Sequence, residues 1–292
     1  MKNLGNFIKT TRIKNGLTQH QLAKDICTQS TISNIENGIT MPNFITLELL
    51  AERLKIRLDE FYKTDEAETT NELFIEVNRL IELNQHKKGY YLLREKSSGI
   101  DLTSIQEKKL FYYYLGITEL IGFFSYEEAE KNFNLVLNMK LDQDFINVLT
   151  FCGLGISSYM QNNLKMAMSY FDVTINQAKD FSDIKELAKV YYNSAKFYSS
   201  QNDCYKAINL CEQGILVIKN LDIKYHASYL YYELANNLAR IGNLEDATLN
   251  YFYASSYAIE SNIITVKKAI LEDIQEFNLE QFDYIKKLEQ DI

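Results

Sequence analysis

Small residues return at a nearly constant interval through most of the chain. In one series they lie 39, 40 and 40 residues apart, and a second series with intervals of 38, 40 and 40 follows it by 12 or 13 residues. The first series is Gly116, Gly155, Ala195 and Ala235, and the second is Ala129, Ala167, Ala207 and Ala247. Small residues at matched positions let paired helices approach where they cross, so the pattern predicts a stack of antiparallel two-helix units.

The rest of the sequence agrees with an all-α chain of 292 residues. Pro42 is the only proline, so long helices can continue without interruption after it, and no later segment alternates like a half-buried strand. We predict a degenerate first unit at 71–103, four units at 104–142, 143–183, 184–222 and 223–262, and a capping helix or helix pair at 263–292. The polar segment 64–70, TDEAETT, is predicted to link this array, 71–292, to an N-terminal domain, 1–63.

The units resemble the tetratricopeptide repeat, whose small residues also lie 12 apart, although the period here is nearer 40 than about 34. The resemblance implies a right-handed superhelix of helical hairpins, in which the first helix of each unit lines a concave groove that usually holds a peptide. With the small residues as register, the predicted peptide-binding residues are Tyr113, Tyr159, Tyr192, Asn193, Lys196, Tyr232, Asn236 and Arg240.

The chemistry of these side chains suits a short peptide. Tyrosines supply apolar area with a polar tip, and an asparagine offers both a donor and an acceptor to a peptide backbone. Lys196 or Arg240 can receive a carboxylate. Because a tyrosine at helical spacing more often belongs to a core, the prediction depends most on Asn193, which Tyr192 and Lys196 flank.

Residues 4–62 are predicted to form five short helices. Thr18 and Gln21 make a capping-box pattern before the second helix, Thr28 caps the third, and Asn37-Gly38 ends it. The fifth helix is LDEFY. The fourth follows Pro42-Asn43, and its predicted inward positions are Ile45, Leu47, Leu49, Leu50 and Leu54.

Helices two and three are joined by one tight turn around Cys27, which is the helix-turn-helix arrangement. In that arrangement the second member lies in the major groove, where Gln and Asn can bond adenine and Thr can contact the thymine methyl. Polar groups near the helix N-terminus can also reach phosphates. The predicted DNA contacts are Gln19, Thr28, Gln29, Ser30, Thr31, Ser33 and Asn34.

The span LTQxQLAxxI…TQSTISNIENG…P…TLxxLAxxL resembles the lambda-repressor-like (Cro/C1, XRE-type) DNA-binding domain over about residues 4–62. The resemblance implies that Arg12 pairs with Glu36 for a structural purpose rather than to contact DNA. Cys27 departs from many relatives, which have glycine at the turn. Either Cys27 accepts that backbone at some strain, or the turn is slightly different.

Basic residues concentrate at the N-terminus of an acidic chain. Residues 1–64 carry nine Lys/Arg and six Asp/Glu, a net charge of +3, whereas the remainder carries 22 and 33, a net charge of −11. Only the N-terminal domain therefore suits a nucleic acid. Because +3 is weak for binding a polyanion, we predict a homodimer on an inverted-repeat operator with half-sites about one helical turn apart or a multiple of that.

No motif predicts catalysis, a cofactor or a metal site. The three histidines are isolated from one another and from cysteine, and no phosphate-binding or dinucleotide-binding glycine pattern is present. The four cysteines contain no CxxC pair, and the N-terminus lacks the apolar run of an export signal. No apolar stretch reaches the length of a membrane span. These features predict a cytoplasmic, non-enzymatic protein without a membrane partner.

The two parts together resemble the Gram-positive peptide-pheromone-responsive regulators, the Rgg/PlcR/PrgX-like (RRNPP) group. The resemblance spans the whole chain, although the repeat half matches by architecture more than by motif. It implies a quorum-sensing transcription regulator whose repeats bind a short imported signalling peptide and hold a dimer together. The asparagine with which this group bonds the peptide backbone maps to Asn193 in VYYNSAKFY.

Two alternatives keep the same architecture and change the role of the repeats. In the first, the chain is a helix-turn-helix repressor whose repeats dock a protein partner such as an antirepressor. In the second, the repeats are a phosphatase-like or sequestration module that acts on another regulator. A peptide receptor should show a channel lined by Tyr and Asn, whereas a docking scaffold should show a broad exposed face.

Overall fold

The computed structural model describes residues 2–57, 65–97, 102–140, 144–182, 184–224, 226–261 and 263–280. These ranges contain fifteen α-helices and no strand, which confirms the all-α prediction. None of these helices has the length and apolar content to cross a membrane. The chain divides into two compact units, one of Met1–Asn84 and Tyr91–Thr103 and the other of Gln85–Tyr90 and Ser104–Ile292.

Four helices form the N-terminal part, with a core of fully buried apolar side chains that includes Ile8, Leu22, Ile32 and Leu50. Their bounds are α1 Lys2–Lys14, α2 Gln19–Ala23, α3 Gln29–Glu36 and α4 Phe44–Leu54. The predicted caps are confirmed, since Thr18 forms a capping box at α2 and the Thr28 side chain accepts from a backbone N–H at α3. The predicted fifth helix, LDEFY, falls almost wholly outside the described residues.

The turn between α2 and α3 does not place strain on Cys27. The residue with left-handed backbone is Asp25 (φ 62°), and aspartate tolerates that conformation better than most side chains. Cys27 instead continues the chain with an ordinary backbone, and its N–H donates to the carbonyl oxygen of Ala23 at 2.9 Å. The turn therefore differs from one that needs glycine at position 27.

The inward face of α4 is narrower than predicted. Ile45 and Leu49 are 67% and 38% exposed, so their predicted inward placement is wrong. The buried residues of α4 recur at the i, i+3, i+4, i+7 spacing of one helix face, which positions 45 and 49 do not share. They are Leu47, Leu50, Ala51 and Leu54.

The segment predicted as a linker is helical from Asp65 onward. It forms the beginning of α5, Asp65–Glu82, and α6 follows as His86–Lys96. Segment 64–70 contains neither proline nor glycine, so nothing in it interrupts a helix. Polarity alone did not distinguish a loop from the start of a solvated helix.

Beyond residue 104 the described chain forms four helical hairpins and one further helix, within the intervals that the repeat predicts. Two or three residues join the two helices of each hairpin, so they run antiparallel. The helices are α7 Ile105–Phe123 and α8 Tyr126–Asn138, α9 Phe145–Met160 and α10 Leu164–Ala178, α11 Leu187–Ser200 and α12 Cys204–Asn220, α13 Ala227–Arg240 and α14 Leu244–Glu260, and α15 Ile264–Glu276.

Three of the hairpin turns depend on one residue with left-handed backbone. Asn162 (φ 61°), Asn202 (φ 62°) and Gly242 (φ 85°) hold equivalent positions, and Gly and Asn adopt this conformation at low cost. In two of the turns the next residue caps the second helix. Asn163 and Asp203 accept from the backbone N–H three residues later, at 3.3 and 3.1 Å. Three residues thus suffice to end one helix and begin the next.

The hairpins close on the small residues that define the repeat. A Cβ added to Gly116 would lie 2.6 Å from the ring of Phe133 in α8, and one added to Gly155 would lie 3.0 Å from the ring of Phe171 in α10. Both rings are buried, at 0% and 1% exposure. The small side chain is therefore required by the close approach of a large ring from the second helix.

The first helices of the hairpins form one layer. Each of α7, α9, α11 and α13 contacts the next odd-numbered helix, whereas consecutive even-numbered helices of the described chain make no contact of similar extent. A stack packed more closely along one layer curves toward that layer. The odd-numbered helices therefore line the inner side of the array, as the tetratricopeptide resemblance implies.

A buried ion pair holds the start of α9 against α7. The side chain of Lys109 is 0% exposed, and its ammonium group pairs with Asp144, which is 3% exposed and caps α9. Lys109 Nζ also donates to Asn147 Oδ1 (2.8 Å) and to the carbonyl oxygen of Met139 (3.0 Å). A buried charge needs this degree of compensation, because water no longer solvates it.

Lys109→Met should therefore destabilise the protein strongly, because it leaves the Asp144 carboxylate buried without its counter-charge. We expect the free energy of unfolding, measured with urea, to fall by about 3–5 kcal/mol. The matched control is Lys131→Met, whose ammonium group is 70% exposed beside Glu128 and should contribute less than about 1 kcal/mol. Equal losses for the two variants would contradict a special role for the buried pair.

Candidate nucleic-acid interface and ligand groove

The residues predicted to contact DNA all lie on α3, at its N-terminal cap or at the start of α2. Gln29, Ser30 and Asn34 are exposed, and Thr31 and Ser33 are half-buried on α3. At the cap, the Thr28 hydroxyl lies 2.8 Å from the hydroxyls of both Ser30 and Thr31. This end of α3 therefore presents a cluster of hydroxyls and amides beside free helix N–H groups, which suits both base edges and phosphate.

A chain of hydrogen bonds joins α1 to the first residue of α3. Arg12 donates to both carboxylate oxygens of Glu36 (2.5 and 3.0 Å), the pair that the family resemblance implies. Glu36 Oε2 also accepts from Gln19 Nε2 (2.8 Å), and Gln19 Oε1 accepts from Gln29 Nε2 (2.6 Å). The Arg12 hydrogen bond lowers the pKa of Glu36 against the opposing effect of burial, so the carboxylate stays ionised at the base of this chain.

This arrangement changes the expected part of Gln19. Its side chain orients the amide of Gln29 instead of being free to meet a phosphate. Sequence spacing did not indicate it, because residues 12, 19, 29 and 36 lie on three helices. Gln29 is thus the predicted DNA contact whose side-chain orientation is fixed most fully before any partner binds.

On the inner layer, α11 presents an accessible face of four side chains. Lys189, Tyr192 and Asn193 are half-buried and Lys196 is exposed. The Asn193 amide makes only a weak contact within the described chain, with Nδ2 3.8 Å from the Cys152 sulfur. The Lys196 ammonium lies 6.0 Å from the centre of the Tyr192 ring. Both Asn193 and Lys196 therefore retain hydrogen-bonding capacity toward a ligand.

The predicted residues on α13 are already engaged within the array. Arg240 donates to the carbonyl oxygen and hydroxyl of Ser199 (both 3.0 Å) and to Asn202 Oδ1 (2.6 Å). Asn236 donates to Asp273 Oδ2 (3.0 Å), and Tyr232 also hydrogen-bonds to Asp273. Of the two cations predicted to receive a ligand carboxylate, the structure leaves Lys196 in the better position.

The remaining two predicted tyrosines have opposite surroundings. Tyr113 is 7% exposed, and its ring lies 6.4 Å from that of Phe133, so it belongs to the core of its hairpin. Tyr159 is 37% exposed and packs edge-on against Phe197 at 5.6 Å. The register of the small residues thus identified an accessible tyrosine in α9 but a core tyrosine in α7.

Two buried carboxylates behind this face were absent from the sequence predictions. Glu233 is 7% exposed, and burial raises its pKa against the opposing hydrogen bonds from Ser199 and Asn237. Asp273 of α15 is 6% exposed and accepts from Tyr251 (2.6 Å) as well as from Asn236. They place negative charge beneath the α13 part of the groove. Their spacing in the sequence carries no signal, because they lie 40 residues apart on different helices.

Two histidines stand near Lys189 at one end of the inner layer. Burial, with the charge of Lys189, lowers the pKa of His86 to about 4 and that of His226 to about 3. His226 packs against the rings of Tyr192 and Tyr229, with centroids 6.0 and 5.6 Å away. Both imidazoles are therefore neutral at pH 7, and this end of the groove is aromatic.

Residues 8–61 match the helix-turn-helix family HTH_3. These residues are a helix-turn-helix domain. A comparison with curated proteins gives no match. Three solved structures resemble nearly the whole chain. Bacillus thuringiensis PlcR in complex with a peptide and DNA is 22% identical, with a TM-score of 0.75 over 92% of this chain and 99% of that chain.

The other two structures are more distant in sequence. ComR from S. thermophilus, in complex with DNA and its signalling peptide, is 15% identical, with a TM-score of 0.61 over 94% of this chain and 100% of that chain. The pheromone receptor Rgg2 from Streptococcus dysgalactiae is 14% identical, with a TM-score of 0.55 over 94% and 99%. The helix-turn-helix domain and the repeats together have the fold of these proteins, which confirms the resemblance predicted from the sequence.

The geometry of α3 in the helix-turn-helix domain generates a prediction for base reading. Gln29→Ala and Asn34→Ala should each weaken binding to an operator selected from random DNA by about 1–3 kcal/mol and leave non-specific affinity nearly unchanged. Fluorescence anisotropy with both DNAs measures this. Asn6→Ala, an exposed amide on α1, is the control and should bind as the wild type does. Wild-type operator affinity in both α3 variants would contradict the assignment.

The two neutral histidines generate a prediction for pH dependence. Their folded-state pKa values lie below the unfolded value of about 6.5, so the unfolded chain binds more protons as the pH falls below it. Stability should therefore fall between pH 6.5 and 5, by up to about 2 kcal/mol per histidine.

The control for this prediction removes the imidazoles. In a His86→Gln/His226→Asn variant the loss of stability between pH 7 and 5, measured by urea unfolding, should shrink, and asparagine tolerates the left-handed backbone at position 226 (φ 58°). The raised pKa of Glu233 acts in the opposite sense in both proteins, so the difference between them isolates the histidines. An unchanged pH dependence in the variant would refute the prediction.

Proposed function

We propose that the chain is a cytoplasmic transcription regulator that binds an inverted-repeat operator as a homodimer and responds to a short signalling peptide. The helix-turn-helix domain reads DNA through α3, and the inner layer of the repeat array binds the peptide. The observation that carries the proposal is the accessible face of α11, where an asparagine amide with spare hydrogen-bonding capacity lies between an aromatic ring and an exposed ammonium group.

The fold supports both partners. PlcR and ComR are described in complex with DNA and a peptide, and this chain aligns with each of them over more than nine-tenths of its length. The charge distribution supports the same division of labour, since the N-terminal 64 residues are net basic and the repeats net acidic. We propose no catalytic role and no cofactor.

The proposed peptide site is centred on α11. The Asn193 amide pairs with a peptide N–H and C=O, Tyr192 packs against an apolar side chain, and Lys196 receives a carboxylate from a peptide C-terminus or acidic residue. Tyr159 and Tyr232 flank this centre on α9 and α13. Because Arg240 and Asn236 already bond within the array, they shape the groove and contribute less to peptide affinity.

The peptide regulates only if it binds the DNA-competent and DNA-incompetent arrangements of the dimer unequally. The inner layer offers a mechanism, because one peptide crosses several consecutive helices that belong to different hairpins. A ligand that spans them favours one curvature of the stack over another. In a dimer held by the repeats, such a change alters the spacing between the two copies of α3.

Asn193→Ala should abolish the peptide response while leaving the fold and basal DNA binding intact. The probe is a peptide of about five to ten residues, obtained by a thermal-shift screen of apolar peptides against the full chain. Calorimetry should show about a five- to hundredfold loss of affinity for that peptide, because its backbone loses a paired donor and acceptor.

The control variant is Asn176→Ala, which removes an exposed asparagine from α10 in the outer layer. It should bind the peptide as the wild type does. If Asn193→Ala binds the peptide with unchanged affinity, the ligand does not lie along α11. If no peptide in the screen stabilises the wild-type chain, the proposal gives way to the alternative in which the repeats dock a protein partner.

A further inference from the structure

The outer layer of the repeat array contains a cleft that shares no residue with the proposed peptide site. It has a volume of 610 Å³, with walls from α12 and α14 and a floor from α13. Leu216 and Lys219 stand on the α12 wall, and Tyr253 and Tyr257 on the α14 wall. The cleft exists because consecutive even-numbered helices do not close against each other, so the side of α13 lies open between them.

Aromatic rings make this cleft apolar and rigid. Tyr231, on the floor, stacks on Tyr257 with centroids 5.6 Å apart and an interplanar angle of 11°, and lies 5.3 Å from the Tyr253 ring. At the rim, Leu216 is 57% exposed and Tyr253 is 42% exposed. An exposed leucine beside a tyrosine-lined cleft is the composition of an interface core rather than of an ordinary solvated surface.

The exposed face of α12 carries a charge pattern with a centre of symmetry. Its exposed residues include Glu212, Leu216 and Lys219, at the i, i+4, i+7 spacing of one helix stripe. The midpoint between Glu212 and Lys219 falls between Ile215 and Leu216. Neither charge makes an ion pair among the residues that the structure describes.

We propose that this surface binds a second copy of the chain, with the two α12 helices packed antiparallel about a two-fold axis beside Leu216. In that arrangement Glu212 faces the partner's Lys219 and Lys219 faces the partner's Glu212. The exposed Leu216 of each copy enters the tyrosine-lined cleft of the other. The inference rests on the homodimer of the proposed function and assigns a surface to it.

Charge complementarity favours a second copy over a foreign partner. A two-fold interface uses the same patch on both subunits, so residue i meets residue j and residue j meets residue i. The α12 stripe meets this condition within one helix, because its acidic and basic residues lie at equal distances from the exposed leucine. A foreign helix or peptide would require no such symmetry.

Charge reversal on the full-length chain tests the pairing by sedimentation equilibrium. Glu212→Lys and Lys219→Glu should each raise the dimer dissociation constant by about tenfold or more, because each places two like-charge pairs in the interface. The double variant Glu212→Lys/Lys219→Glu should restore a dissociation constant near the wild-type value, because both pairs are again complementary. Lys165→Glu, an exposed lysine on α10, is the control and should leave dimerisation unchanged.

The outcomes separate this inference from the proposed function. If the chain is dimeric but the single variants dimerise like the wild type, the dimer uses another surface and this inference is wrong. If the single variants weaken the dimer and the double variant does not restore it, the contact is not two-fold and the inference is also wrong. A wild-type chain that stays monomeric up to about 100 μM would overturn both this surface and the homodimer, while leaving peptide binding to be judged separately.

Discussion

The close approach of each hairpin's two helices is the constraint on which the repeat array depends. Gly116 and Gly155 leave room for the buried rings of Phe133 and Phe171, and a single added methyl group would meet those rings within about 3 Å. Ala195 and Ala235 hold the same position in the next two hairpins and are fully buried. This packing sets where each odd-numbered helix lies, and the layer of odd-numbered helices then forms the inner surface.

The inner surface gains its chemistry from the faces of these helices that the packing leaves open. On α11 the buried positions include Tyr191, Ser194 and Ala195, while Tyr192, Asn193 and Lys196 point away from the core. On α13 the equivalent face is neutralised from within, because Asp273 holds Asn236 and Ser199 holds Arg240. The helix-turn-helix domain follows the same principle, since the ion pair between Arg12 and Glu36 supports the orientation of Gln29 through Gln19.

The sequence predicted features that depend on local chemistry or regular spacing. Thr18 and Thr28 cap their helices, and the 40-residue interval locates the hairpins, because such signals are contained within a few residues or repeat along the chain. It did not predict the burial of Tyr113, the engagement of Arg240 or the exposure of Ile45. These depend on which neighbouring helix covers a side chain, and that is decided by contacts between residues about 20 to 40 apart. The cleft between α12 and α14 is likewise a property of the stack.

The account's central claim is that the inner groove and α3 are energetically coupled. The most direct measurement is a thermodynamic cycle on the full-length dimer, in which operator affinity is determined with and without saturating peptide and peptide affinity with and without saturating operator. The account predicts that both affinities change by the same factor, of about 5 to 150, because coupling between two sites is reciprocal. A peptide that binds the groove and leaves operator affinity unchanged would contradict the claim.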